Sequence, residues 1–147
     1  MAKYIHYGSK VFDKNRFEKV SNYFIKPRGG FWASRIDSEY GWKEWNDDNK
    51  FTTCQKENSF IFTLKDDAKV VEIFTAEDLA KLPCLTENQL KYPICNEFYI
   101  IDYEHCIEMG IDAIEVRSIS DGLYYPLYGY DCECILILNP DIVEVYE

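Results

Sequence analysis

The sequence holds no apolar run approaching the roughly 20 residues that a membrane-spanning helix requires, so a membrane protein is not expected. Histidine is scarce. His6 and His105 are the only two, and neither lies near the Cys132-x-Cys134 pair, so that half-site lacks the second His/Cys cluster a structural zinc needs. No metal is expected. Positive charge is also short: 16 Lys and Arg stand against 26 Asp and Glu, for a net charge of −10. A surface of that sign repels nucleic acid and anionic lipid on average. Internal repeats and low-complexity stretches are missing, as is a basic-then-apolar leader at the start. The remaining cysteines, Cys54, Cys84, Cys95 and Cys106, lack the spacing of a disulfide framework. The expectation is a cytoplasmic protein with reduced thiols.

What is present is a chain of 147 residues, 47% apolar and 16% aromatic. That is enough for one compact domain with a real core, spanning 1–147, and too little for two. Periodicity supplies the elements. A strand is expected over Lys3 to Tyr7. Asn15 to Ile25 carries Phe17, Val20, Phe24 and Ile25 at helical spacing, and Pro27 would end that helix. "GGFWAS" reads as a second strand entered through a glycine pair, and "SEYGWKEWNDDNKF" as a short aromatic helix. "SFIFTL" and "KVVEIF" are strands. Thr75 with Asp78 three residues on has capping-box spacing and starts a helix over "AEDLAKL", closed by Pro83. Cys84 to Tyr99, which contains Pro93, reads as a loop or a short irregular helix. "DYEHCIEMG" is helical with Gly110 at a left-handed C-cap. There follow the strand "DAIEVRS", an aromatic connection "DGLYYPLYGYD", a buried strand "CILIL" and an alternating strand "IVEVY". Strands and helices without regular alternation give an α+β class.

Three places carry chemistry. His6 sits in the first strand and is followed by Tyr7, Gly8 and Ser9. The "GGFWAS" strand follows some two dozen residues later, preceded by the basic turn "KPRGG" from Lys26 to Gly30, the best local site for an anion. Glu133 heads the strand "ECILIL". With period two, Glu133 shares a face with Ile135 and Ile137, while Cys132, Cys134, Leu136 and Leu138 lie on the other.

This order, His-x-Gly-Ser, then Gly-Gly-aromatic-aromatic-small-Ser, then a strand headed by Glu, resembles the ADP-ribosyltransferase fold in its histidine–tyrosine–glutamate class, which includes diphtheria-type toxins and poly(ADP-ribose) polymerases. "CIEMGIDAIEVRS" is similar to the helix, glycine and strand that precede the glutamate strand there. The resemblance implies a split mixed or antiparallel sheet flanked by helices, NAD as substrate, and transfer of ADP-ribose to a macromolecule. Its small members act as toxins or as effectors in phage–host conflict, and the acidity of this chain favours a protein acceptor. His6 would hydrogen-bond a ribose hydroxyl, and Gly8 or Ser9 would meet the nicotinamide carboxamide. Trp32, in the tyrosine position, and Trp42 would stack on the cationic ring, for about 1–2 kcal/mol. Ser34 joins that binding set, and Arg28 would meet the pyrophosphate. Glu133, or Asp131 two residues earlier, would stabilise the developing oxocarbenium charge. The sequence departs from the family in Tyr7, inserted between histidine and glycine, and in tryptophan for tyrosine.

Plainer readings compete. His6 suits a structural role, the tryptophans suit a core, and Glu133 suits an edge-strand charge. Tyr124, Tyr125, Tyr128 and Tyr130 would serve a partner surface. An acidic, non-catalytic protein-binding module on the same fold is the alternative function, and NAD hydrolysis with water as acceptor is another.

Overall fold

Seven strands of the described residues pair into one sheet in the order β4-β5-β6-β2-β1-β3-β7. The structure is a computed structural model that describes residues 1–51, 54–90, 99–118, 123, 127 and 130–146. The strands are β1 Tyr4–Tyr7, β2 Phe31–Arg35, β3 Ser59–Leu64, β4 Val70–Ile73, β5 Ala113–Val116, β6 Cys134–Ile137 and β7 Val143–Val145. Only β4 and β5 run parallel; the other pairs are antiparallel. The chain forms one compact α+β domain with a curled, mixed sheet and few helices.

Side-chain alternation divides the core. One face carries Tyr4, Phe60, Phe62, Ala33, Ala113, Ile135 and Ile137, and the sheet curls around them with Phe12, Phe17, Phe31 and Ile142 filling in. The opposite face carries Ile114, Val116, Cys134, Leu136 and Ile73 beneath α2 (Ala76–Ala80) and α3 (Tyr103–Glu108). β6 is buried on both faces, which is why "CILI" is continuously apolar. The two-face division of Ile135 and Ile137 against Cys132, Cys134, Leu136 and Leu138 follows the period-two expectation.

Local chemistry sets the helix ends. Thr75 Oγ1 accepts the Asp78 N–H at 3.3 Å, and the Asp78 carboxylate accepts the Thr75 N–H at 3.2 Å, so the capping box forms. α3 starts at Asp102, whose side chain accepts the His105 N–H, and closes at Gly110, whose φ of +82° is the left-handed conformation glycine allows. The aromatic helix is α1, Trp42–Asp48.

One expectation is corrected. Asn15 to Ile25 is not a helix: a 3₁₀ turn at Lys14–Arg16 gives way to extended chain, and Ser21 pairs with Arg28 in a tight antiparallel bridge. Phe17 packs into the curled face and Val20 into the helix-covered face. Its apolar residues therefore serve two cores, which one helical stripe cannot do. The segment Cys84 to Tyr99 contains a 3₁₀ turn at Glu87–Gln89; its Pro93 and Cys95, like Tyr124, Tyr125 and Tyr128, lie outside the described residues.

An ionic cluster around the buried Glu115 ties β1, β2, β4 and β5 together on the curled face. Glu115, 3% exposed, accepts bonds from Tyr4 Oη (3.0 Å), Arg35 Nε (2.8 Å) and Arg35 Nη2 (3.1 Å). Arg35 and Arg117 both reach Glu72 at 3.0 Å.

Candidate functional site

The ladder between β1 and β2 is short. It pairs Tyr4 with Arg35 and Ile5 with Ser34, and there it stops, while β1 stays paired to β3 as far as Tyr7 and β2 to β6 as far as Phe31. The sheet therefore splits at His6. Across the opening, His6 Nδ1 lies 2.6 Å from the Trp32 carbonyl oxygen. A carbonyl only accepts, so Nδ1 carries the proton and Nε2 is the free acceptor. Burial lowers the imidazole pKa, against the raising effect of the Trp32 bond, which favours the neutral ring. The histidine in the first strand thus stands in for a missing rung where two strands part.

His6 faces a cleft of about 270 Å³ on the curled side, walled by Phe12, Phe31 and Phe60 and rimmed by Asp13 and Arg16. Its ring packs edge-on against Phe31, 5.2 Å between centroids. Gly8, at φ +121°, carries the chain around the cleft mouth, and its N–H donates to the Asn58 carbonyl. Ser9 Oγ is engaged with both main-chain polar groups of Val11. The Gly8 N–H and the Ser9 hydroxyl each have a protein partner already.

Trp32 points to the opposite face. There it meets Tyr130 edge-on at 5.3 Å, and Trp42 and Trp45 pack against the same core. Ser34 joins this group to Glu133. Its hydroxyl donates to the Glu133 carbonyl at 2.8 Å and accepts the Trp42 N–H at 3.0 Å. Ser34 thereby caps α1 from the neighbouring strand, because the residue at the N-cap, Gly41, has no side chain to do so. Glu133 lies just before β6, so it escapes the strand's alternation. Its Oε2 accepts the Tyr40 N–H at 2.7 Å, and its own N–H donates to the Tyr40 carbonyl at 2.9 Å. Asp131 faces Lys26, 3.9 Å away. Arg28 lies over the Tyr23 ring at 3.6 Å.

The fold therefore gathers Ser34, Trp32, Trp42, Asp131 and Glu133 on one side, and puts His6, Gly8 and Ser9 at the cleft on the other, with the β1–β2 split between them. Sequence reading missed Tyr7. It lines a second recess, about 360 Å³, with Ser34, Trp42 and Lys43, and alternation from His6 was the signal that assigns it to the tryptophan side.

Two of the buried thiols are held protonated. Burial pushes the Cys106 thiol up to about 12, and the Cys134 contact together with burial drives Cys132 higher still. Neither is a thiolate at neutral pH. No helix of the described residues is long and apolar enough to cross a membrane. Among those residues no group of three His, Cys, Asp or Glu side chains is arranged to hold a metal ion. No protein-family model, curated protein or solved structure matches the chain significantly.

Proposed function

We propose that the protein is an NAD-dependent ADP-ribosyltransferase that breaks the nicotinamide–ribose bond and passes ADP-ribose to a macromolecule, a protein in preference to a nucleic acid. The observation that carries this reading is the run β6-β2-β1. It sets the Glu133 strand, the tryptophan strand and the histidine strand side by side, with the sheet split open beside His6. In this reading NAD lies across the split. Its ribose–adenine portion enters the phenylalanine-walled cleft, where a ribose hydroxyl donates to His6 Nε2. The nicotinamide reaches the Trp32–Trp42 side, where indole faces favour its positive charge.

The chemistry needs little covalent help. The ribose C1′–N bond breaks with its electron pair going to the pyridinium nitrogen, which leaves as neutral nicotinamide. The sugar passes through an oxocarbenium-like state. Glu133, fixed by Tyr40 and Ser34, accepts from the ribose 2′-hydroxyl and stabilises the developing charge, with Asp131 beside it as the second carboxylate. A nucleophile of the acceptor then bonds to C1′ and loses its proton; with water in that role the product is free ADP-ribose.

A second reading, a non-catalytic protein-binding module, is favoured by one fact: one oxygen of the Glu133 carboxylate and the Gly8 N–H already have protein partners. Calorimetric titration with NAD separates the two. Saturable binding that His6→Ala weakens about tenfold, the loss of one hydrogen bond, fits the enzyme. Folded protein that binds no NAD at millimolar concentration fits the module.

A further inference from the structure

The basic turn "KPRGG" places a lysine where the proposed substrate's cation would go. Lys26 Nζ lies over the Trp32 ring, 5.8 Å from its centroid, and over the Trp42 ring, 5.2 Å from its centroid. Both distances fall within the range of cation–π attraction. The same ammonium faces the Asp131 carboxylate at 3.9 Å. Two indoles and a carboxylate around one cation make the arrangement that recognises organic cations. Its occupant here is supplied by the chain itself.

The mounting of Lys26 suits an occupant that swings on its own stem. Ser21 and Arg28 exchange two main-chain bonds, each 3.0 Å, which fixes the base of the turn. Asn22 ties that base to α3 through Tyr103 N, Asp102 and Glu104. Gly29 closes it at φ +80°, and a Cβ there would come within 2.5 Å of the Lys19 carbonyl oxygen. The backbone is thus held, while the side chain of Lys26 is 39% exposed and its carboxylate partner 41%. The four-carbon stem is free to carry the ammonium out to water at small cost.

We infer that Lys26 is a resident cation of the Trp32–Trp42 pair, which a ring ligand must displace and which retakes its place when the ligand's hold weakens. The inference rests on the nicotinamide end of NAD binding at these tryptophans. Its consequence is a specificity no stacking pair alone would give. Intact NAD can displace the lysine because contacts of its distant ADP-ribose portion supply the binding energy. Released nicotinamide has no such anchor and no positive charge, and it competes against a tethered ammonium of high effective concentration. Lys26 therefore favours product departure.

The test titrates wild type and Lys26→Ala with nicotinamide and with 1-methylnicotinamide, reading tryptophan fluorescence. Proton NMR of the lysine ε-methylene groups, with Lys26 assigned by its loss in the variant, runs alongside. The expected results are an upfield ring-current shift of the Lys26 methylene in the free protein that disappears at saturating ligand, and dissociation constants about tenfold lower in Lys26→Ala for both compounds. Equal constants in the two proteins, or a Lys26 methylene at the ordinary lysine position, would overturn the resident-cation role while leaving the ring site standing. Failure of either compound to bind either protein, both shown folded by near-ultraviolet circular dichroism, would overturn the ring site and the inference with it.

Discussion

Removing the guanidinium of Arg35 should cost the fold more than any other single charge deletion among the described residues. Glu115 is 3% exposed and takes three of its bonds from Tyr4 and Arg35, at 2.8 to 3.1 Å. In Arg35→Met the carboxylate stays buried with only the neutral Tyr4 hydroxyl as donor. Breaking a buried pair from one side costs about 3–5 kcal/mol. Arg35 itself is 22% exposed on its side chain, so water reaches part of the site, and the lower end, about 3 kcal/mol, is the working figure. With a urea slope of about 1–3 kcal/mol/M, the unfolding midpoint should fall by roughly 1–3 M. Arg35→Lys should rescue little, because a single ammonium cannot repeat the paired contact. The double variant Arg35→Met/Glu115→Met removes both charges and should recover part of the loss. It leaves only the Tyr4 hydroxyl without a partner, a cost of about 1–3 kcal/mol if water cannot reach it. Urea unfolding followed by far-ultraviolet circular dichroism measures all three. A loss below about 1 kcal/mol in Arg35→Met, or a double variant no better than the single, would refute the reasoning.

Other expectations follow from the same geometry. Burial lowers the His6 pKa, so the unfolded chain takes up this proton first; stability is full above about pH 6.5 and falls as pH drops through the folded value. His6→Phe should flatten thermal melts between pH 7 and pH 5, and an unchanged slope contradicts the buried neutral ring. Tyr103 is fully buried and its pKa is raised well above the usual value by that burial. Its contribution is complete below pH 10 and is lost above it, so Tyr103→Phe should be less sensitive than wild type to unfolding between pH 10 and 11. Ser34→Ala leaves the Trp42 N–H and the Glu133 carbonyl without their shared hydroxyl; a loss of about 1–3 kcal/mol in urea is expected, and no loss would contradict the link.

How far the sequence foretold this depends on the element. Strands announced themselves where one side chain in two was apolar or where both faces were covered, as in "SFIFTL" and "CILI". Thr75 with Asp78, and Gly110, marked helix ends by chemistry that is local to the chain. Asn15 to Ile25 misled because helical spacing cannot tell one stripe from residues bound for two cores, and Phe17 and Val20 part company there. The site was harder. The order of the motifs suggested which residues to consider together, but the facing of His6 away from Trp32 depends on the β1–β2 register and on where that ladder stops. The turn of the Glu133 carboxylate toward Tyr40 depends on β6 beginning one residue later, at Cys134. Both are long-range facts. Lys26 illustrates the limit: its turn was legible as a basic patch, whereas its position over two tryptophans is a product of the fold.

The most direct test of the proposed activity compares wild type with Glu133→Gln, a change that keeps an oxygen to accept the Tyr40 N–H and removes the charge. Each protein is incubated with NAD labelled in the adenylate portion and a cell extract, and nicotinamide release and macromolecular label are both read. The account predicts release and label with wild type and a loss of at least a hundredfold in the variant, the scale of removing a group that stabilises transition-state charge. Folded wild-type protein that releases no nicotinamide, or a Glu133→Gln variant that releases it as fast as wild type, would contradict the account.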